Sequence, residues 1–547
     1  MTQSVASLAV ETLIANGFDN LYCLPGVQND PFFNSLYDRR DALAPVHTRH
    51  EQGAAYMALG AALATGQPQA FCVVPGPGLL NTAAALSTAY ATNAPVLALV
   101  SEIPSAGIGR GYGALHELPD QLGVLERLTR HAERISDGAD AHAVLQRAMT
   151  ALRSGRQGPV GVEVPTDVWS SAAESVSDDL VAPARPGPEP DTAAIAEAAQ
   201  LLTGAKRPMI VVGGGAQDSS EHVTQLAERL SAPVVAFRSG RGVVPSDHPL
   251  SITTPTAYQL WPQVDLVIGL GSRMGMQQSV WGVDNDLKIV HIDIDTDEIG
   301  RFGPPTAGIH ADLADALPLL ADALGATQAD RSEWRAEVEV ARADAEAATA
   351  EALAPQYGWL GAIRAELPPE GVFVDEMTQC GYVSWLGFDV YRPRTFLTAG
   401  YQGTLGYGFA TALGAAHARR DVPVLSIVGD GGALFTINEL ATAAHHRIPL
   451  TTIVFNDHAY GNVRRIQRER FEGRVIASEL TSPDFVKLAD SFGVRGVRAS
   501  TPDELRPCLR EALSSDEPTV IEVPFGEVPF PWPYIMRPRI RGQQPGG

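Results

Sequence analysis

Residues 422–457, VPVLSIVGDGGALFTINELATAAHHRIPLTTIVFND, decide the fold. Val424 to Val428 is a short β-branched run, Ala433 to His446 has helical spacing, and Leu450 to Phe455 is a second apolar run. The order predicts one βαβ unit with parallel strands. Outward from it the same rhythm fills most of the chain: apolar runs ending in Gly, Pro or Asp alternate with amphipathic stretches, the pattern of parallel α/β layers. Two stretches interrupt it. Val181 to Asp191 (VAPARPGPEPD) is Pro-rich, and Gly325 to Pro355 is rich in Ala and acids and reads as a helix leading into a linker. They divide the 547 residues into 1–180, 190–325 and 355–547, about the number of domains this length predicts. The expectation is an α/β protein of three doubly wound parallel-sheet domains, the first and third sharing one rhythm.

Composition narrows the partners. With 41 Lys plus Arg against 63 Asp plus Glu the formal charge is −22, which opposes attraction to phosphate backbones or anionic lipid. Neither nucleic acid nor membrane is expected as a partner. No apolar run approaches the ~20 residues of a membrane helix, and the start has Glu11 but no basic leader, so a cytoplasmic location is predicted. Cys23, Cys72, Cys380 and Cys508 are widely spaced and imply neither disulfides nor a structural zinc.

In the βαβ unit Asp430 and Asn456 fall at the carboxyl ends of parallel strands, the edge where doubly wound sheets bind ligands. A carboxylate and an amide oxygen suit Mg²⁺, which takes its remaining oxygens from water and phosphates. Gly429, Gly431 and Gly432 leave the backbone open to a diphosphate at a helix N-terminus. Singly, Asp430 reads equally as a helix cap and Asn456 as a turn residue. Together, Gly-Asp-Gly followed by Asn456 twenty-six residues after Asp430 resembles the signature of thiamine diphosphate (ThDP) enzymes. The resemblance implies that Asp430, Asn456 and the main-chain oxygen of His458 bind the divalent ion.

The likeness extends over the whole chain. LYCLPGVQND resembles the family's Pro-Gly turn at Pro25-Gly26, and HTRHEQGAAY places Glu51 where the family has a glutamate. Removal of the cofactor's C2 proton needs a carboxyl group at the aminopyrimidine, and the resemblance gives that role to Glu51. FCVVPGPGLLNTAAA resembles the pyrimidine loop, with Gly76, Pro77, Gly78 and Asn81; VDEMTQCGYVSW resembles the diphosphate segment, with Thr378 and Gln379; AGYQGTLGYGFATALGAA resembles the segment that bends the cofactor, with Leu405 as the wedge and Gly403 as a further cofactor-binding candidate. Gln28, His50, His116 and Tyr460 follow the family's active-site loops as further candidates, His116 as a proton shuttle or carbonyl ligand.

GRGVVPSDHPL resembles the central domain of the acetolactate synthase-like branch, yet the substrate pocket departs from it. The branch's Arg-Phe-Asp-Asp-Arg run, whose last Arg grips a carboxylate, is here Arg273-Met274-Gly275-Met276-Gln277; its tryptophan after the metal loop is Ile466, and Ala-Phe-Gln-Glu is Ala114-Leu115-His116-Glu117. In the middle segment, Gly213, Gly214 and Gly215 after a strand suit either a phosphate or a tight turn, and the acids of LKIVHIDIDTDEIG suit a ribose or a helix cap, so FAD or ADP is a candidate ligand there. RRIQRERFEGR at 464–474 suits a nucleotide pocket or a solvated face. The resemblance implies a ThDP- and Mg²⁺-dependent lyase or transferase, a carboligase or decarboxylase, acting on the C–C bond beside a carbonyl of a 2-oxo acid or 1,2-dicarbonyl. It also implies a homodimer or homotetramer. Alternatives are a 2-hydroxyacyl-CoA lyase, a 1,2-dione hydrolase, a flavin or nicotinamide oxidoreductase, and a non-catalytic nucleotide-binding relative.

Overall fold

The structure is a computed structural model, and it describes residues 3–173, 179–325 and 329–542. Three parallel six-stranded sheets follow one another along the chain. The first joins β1 (Asn20–Cys23), β2 (Ala44–His47), β3 (Gln69–Val73), β4 (Val96–Glu102), β5 (His131–Arg134) and β6 (Val160–Pro165) in the order β2-β1-β3-β4-β6-β5. The second joins β7 (Pro208–Val212), β8 (Val234–Ala236), β9 (Ser251–Ile252), β10 (Leu266–Leu270), β11 (Lys288–Asp293) and β12 (Ala307–His310) in the order β12-β11-β10-β7-β8-β9. The third joins β13 (Val372–Val374), β14 (Phe396–Leu397), β15 (Val424–Gly429), β16 (Leu450–Asn456), β17 (Arg495–Arg498) and β18 (Thr519–Pro524) in the order β14-β13-β15-β16-β18-β17. The α/β class is as expected. The first and third sheets have the same strand order, which accounts for their shared rhythm.

Those two sheets share one apolar core, which runs from Tyr22 and Phe71 to Val428 and Val520. Its centre is the crossing of helix Glu51–Thr65 with helix Gly408–Ala418, elements that occupy equivalent places after β2 and β14. Both are rich in Gly and Ala, so the backbones come close: a Cβ at Gly60 would lie 1.8 Å from the Thr411 carbonyl oxygen, and one at Gly414 would lie 1.9 Å from that of Met57. Such contact at both residues admits only glycine.

Two local readings differ from the sequence. The stretch read as one helix from Ala433 to His446 is broken into Asp430–Ala433, a 3₁₀ turn at Ile437–Glu439 and helix Leu440–His445. The break lets the buried Glu439 carboxylate accept the backbone N–H groups of Arg49 and His50 at 3.0–3.1 Å, stitching the entrance of helix Glu51–Thr65 to the third sheet. The stretch read as a helix leading into a linker is helix Ser332–Ala352 followed directly by helix Ala354–Glu366. Pro355 falls in the first turn of the second helix, where its missing N–H has no intrahelical partner to lose.

Candidate active site

The candidate residues gather in two groups at the carboxyl ends of the first and third sheets. In the first, Glu51 opens its helix and is held by Asn81, whose Nδ2 donates to Oε2 at 3.0 Å. The Glu51 side chain is 13% exposed, with His50 Nδ1 4.0 Å away. At two positions the loop beneath it has no room for a side chain. Gly76 has φ +59°, and a Cβ there would lie 2.4 Å from the His116 carbonyl oxygen; a Cβ on Gly78 would meet Val74 at 2.7 Å with the Glu51 carboxylate just beyond. After Pro25, the Gly26 N–H donates to Asn29 Oδ1 at 2.8 Å. Gln28 Nε2 donates to the Leu115 carbonyl at 3.0 Å, which ties the Pro-Gly turn to the His116 loop. Gln28 Oε1 and His116 Nδ1 are buried without a hydrogen-bond partner. Buried polar atoms of this kind are rare unless a ligand or water completes them.

The second group surrounds Asp430, which is 1% exposed at the end of β15 and accepts the Ser482 hydroxyl. Asn456 closes β16; its Nδ2 donates to Glu522 Oε1 at 2.9 Å, an arrangement that fixes the amide with Oδ1 as the remaining acceptor. His458 has φ +52°, and its carbonyl accepts the Leu480 N–H at 2.8 Å with a second lone pair still to use. Asp457, which sequence reasoning passed over, lies beside them. Burial first, and then the Asp430 charge, push its carboxyl up to about 6, against the pull of Arg464 at 3.6 Å. Its only sequence signal was its place after Asn456.

Glycine is required in the turn as well: a Cβ at Gly431 would lie 2.6 Å from the Tyr460 ring, and one at Gly432 would lie 2.0 Å from Glu376 Oε1. Glu376 is a second residue the sequence reading missed. It is wholly buried, accepts the N–H groups of Gly406 and Gly408, and is pushed up to about 8 chiefly by desolvation. Thr378 caps helix Gln379–Gly387 by accepting the Gly381 N–H at 2.8 Å, and Gln379 Oε1 is buried without a partner at that helix N-terminus. Gln379 also borders a cavity of about 300 Å³ shared with Asp457, Gly461 and Arg464. Gly403 is left-handed at φ +55°, and Leu405 follows it half-buried. Among the described residues no hydrogen bond joins Glu51, Asn81, Gln28 or His116 to Asp430, Asn456 or Tyr460.

Comparison with known proteins adds the deciding observation. Residues 3–124, 195–320 and 376–523 match, in that order, the N-terminal TPP binding domain, the central domain and the C-terminal TPP binding domain of the thiamine pyrophosphate enzymes. The chain is 33% identical over 527 residues, 95% of its length and 93% of the relative's, to the probable 2-ketoarginine decarboxylase AruI of Pseudomonas aeruginosa. It is 32% identical to the probable acetolactate synthase large subunit of Methanocaldococcus jannaschii, covering 95% and 91% of the two chains, and 28% identical to acetolactate synthase isozyme 1 large subunit of Escherichia coli, covering 95% and 93%. The chain belongs to the thiamine pyrophosphate enzymes, in the acetolactate synthase-like branch.

Within this thiamine pyrophosphate enzyme the central sheet has its switch point between β7 and β10. The Gly213–Gly215 loop and Gly271 press together there, a Cβ at Gly213 lying 2.2 Å from the Gly271 oxygen. A cavity of about 330 Å³ opens beside them, bordered by Arg156, Arg273, Asp293 and Arg394. Arg156 crosses to Asp295 at 2.8 Å and to Glu298, so two of the acids of the HIDIDTDE run are engaged by an arginine. The basic stretch after Tyr460 is largely paired: Arg464 with Asp457, Arg465 with Glu469 and Arg468 with Glu527. The C-terminal tail docks on the central segment, where Arg539 Nη2 donates to the Ser279 carbonyl at 3.2 Å, two residues from Gln277.

Proposed function

We propose that this protein is a ThDP- and Mg²⁺-dependent lyase or transferase that breaks or forms the C–C bond beside the carbonyl of a 2-oxo acid or 1,2-dicarbonyl. The observation that carries the reading is the pairing of buried Asp430 with Asp457. Burial and the Asp430 charge raise the affinity of Asp457 for a proton, and a divalent ion would relieve the same repulsion. Asp430, Asn456 Oδ1 and the His458 carbonyl are the hard oxygen set that would hold it, and the Gly431–Gly432 turn with Thr378 and Gln379 at a helix N-terminus would take the diphosphate. When bound, ThDP supplies a carbon nucleophile and an electron sink.

The rest falls to the chain's own side chains. Glu51, oriented by Asn81, would exchange a proton with the pyrimidine end of the cofactor. His116 and Gln28 would offer their unpartnered buried atoms to the carbonyl and its product, and Leu405 would hold the cofactor by apolar contact. The two groups complete one another across two copies of the chain, as a homodimer or homotetramer. Exposed apolar side chains beside both support this: Val27 at 68% and Leu80 at 46% near the first, Leu434 at 43% and Phe435 at 47% near the second. A second reading, FAD or ADP at the central cavity, is favoured by the glycines at the β7–β10 switch point.

Calorimetric titration of ThDP in the presence of Mg²⁺ tests the centre: Asp430→Ala should abolish binding, and unchanged affinity would refute the assignment. Incubating the holoenzyme with pyruvate, 2-ketoarginine and bulkier dicarbonyls, reading CO₂ and ligated products, then identifies the substrate.

A further inference from the structure

A cluster of imidazoles lies outside the site described above. His47 ends β2, while His445 and His446 end helix Leu440–His445 of the third sheet's layer. Their ring centres are 4.6 Å (His47 to His445), 5.0 Å (His47 to His446) and 4.8 Å (His445 to His446) apart, with the planes crossed at 71°, 68° and 75°. One ring nitrogen from each lies within 4.8 Å of those of the other two. His446 Nε2 is buried and has no hydrogen-bond partner.

A tetrahedral ion would hold the three nitrogens about 3.4 Å apart, so from their present spacing within 4.8 Å the crossed rings would close on it by side-chain rotation. Three imidazoles around a tetrahedral ion have metal–nitrogen distances of about 2.1 Å, and adding about 1.1 Å from nitrogen to ring centre puts the centres about 5.2 Å apart. The observed separations fall a few tenths of an ångström short of that. Burial, followed by the neighbouring imidazoles, holds His446 down to about 4, and burial with His445 and Arg49 holds His47 below its ordinary range. Both therefore present lone pairs at neutral pH rather than charge. Arg49 is the cationic neighbour that an ion must tolerate, while burial and then Arg420 hold His417 down to about 4.

We propose that His47, His445 and His446 form a transition-metal site for an imidazole-preferring ion such as Zn²⁺, with water in the fourth position. Imidazole suits Zn²⁺, Cu²⁺ and Ni²⁺ and is a poor ligand for Mg²⁺, so this site and the oxygen set at Asp430 select different ions. Its place gives it a consequence. His47 stands four residues before Glu51, and His445 and His446 stand six and seven after Glu439, the residue that already ties Arg49 and His50 to the third sheet. An ion here would be a second tie between the same two segments.

The test uses the full chain, stripped with a chelator and then saturated with Mg²⁺ and ThDP, titrated with Zn²⁺ by calorimetry and with Co²⁺ by visible absorption. The expectation is one tight ion per chain, the absorption of a four-coordinate Co²⁺ centre and a raised melting temperature. His445→Ala, at an exposed position that leaves the fold intact, should lower the affinity at least about 10–100-fold, since loss of even an outer partner costs that much. His446→Gln should do the same. Absence of Co²⁺ absorption, or equal affinity in wild type and both variants, would overturn the proposal.

Discussion

Glu51 owes its position to three neighbours rather than to burial alone: Asn81 donates to it, His50 caps its helix, and Gly78 leaves room beside it. A carboxyl group that works by proton exchange loses that function as an amide while keeping its shape. Glu51→Gln is therefore expected to bind ThDP normally and to lose turnover by about 10²–10⁴-fold, the usual worth of a general acid–base group. Measuring C2 hydrogen exchange of the bound cofactor by NMR checks it, and exchange as fast as in wild type would remove Glu51 from the role. Glu51, Asp430 and Asn456 could be proposed from the sequence because each stands in a distinctive string of neighbours. Asp457 and Glu376 were not, because their perturbed carboxyls are products of enclosure: residues distant in sequence remove water from them, and nothing local announces it.

At the level of elements, the pivot is the crossing of helix Glu51–Thr65 with helix Gly408–Ala418. A methyl at Gly414 has nowhere to go except into the Met57 backbone at 1.9 Å, and main chain cannot turn aside as a side chain can. Gly414→Ala should cost about 1–3 kcal/mol, the range for overpacking a core. Because the displaced helix begins at Glu51, cofactor affinity should fall with it. Thermal unfolding alongside ThDP titration measures both; unchanged melting would mean that the helices move apart freely. The strands of the βαβ unit were readable from their β-branched runs. The helix between them was misread, since helical spacing does not reveal that Glu439 is drawn away to accept N–H groups from the first sheet's layer.

Across the whole molecule the first and third sheets repeat one strand order around a common core, and the tail closes on the central segment beside Gln277. Gln277 is 4% exposed in a buried helical turn and offers only neutral hydrogen bonds, about half as strong as those of an arginine fork. Pyruvate with 2-oxobutyrate is accordingly expected to be a poor pair, with kcat/KM below ~10⁴ M⁻¹s⁻¹, the low end for committed enzymes. Steady-state kinetics decide it, and a higher value would make Arg539 of the tail, rather than Gln277, the group to examine. The sequence by itself determined the α/β class and the family, and proposed the residues of both half-sites, because strand periodicity and the Gly-Asp-Gly and Pro-Gly strings are local properties. Only the tertiary structure decided that Asp457 faces Asp430, that Glu439 joins two sheets, and that His47 meets His445 and His446. The first meeting comes from the pairing of β15 with β16 in one sheet and the other two from packing of one layer on another, and no spacing along the chain encodes those contacts.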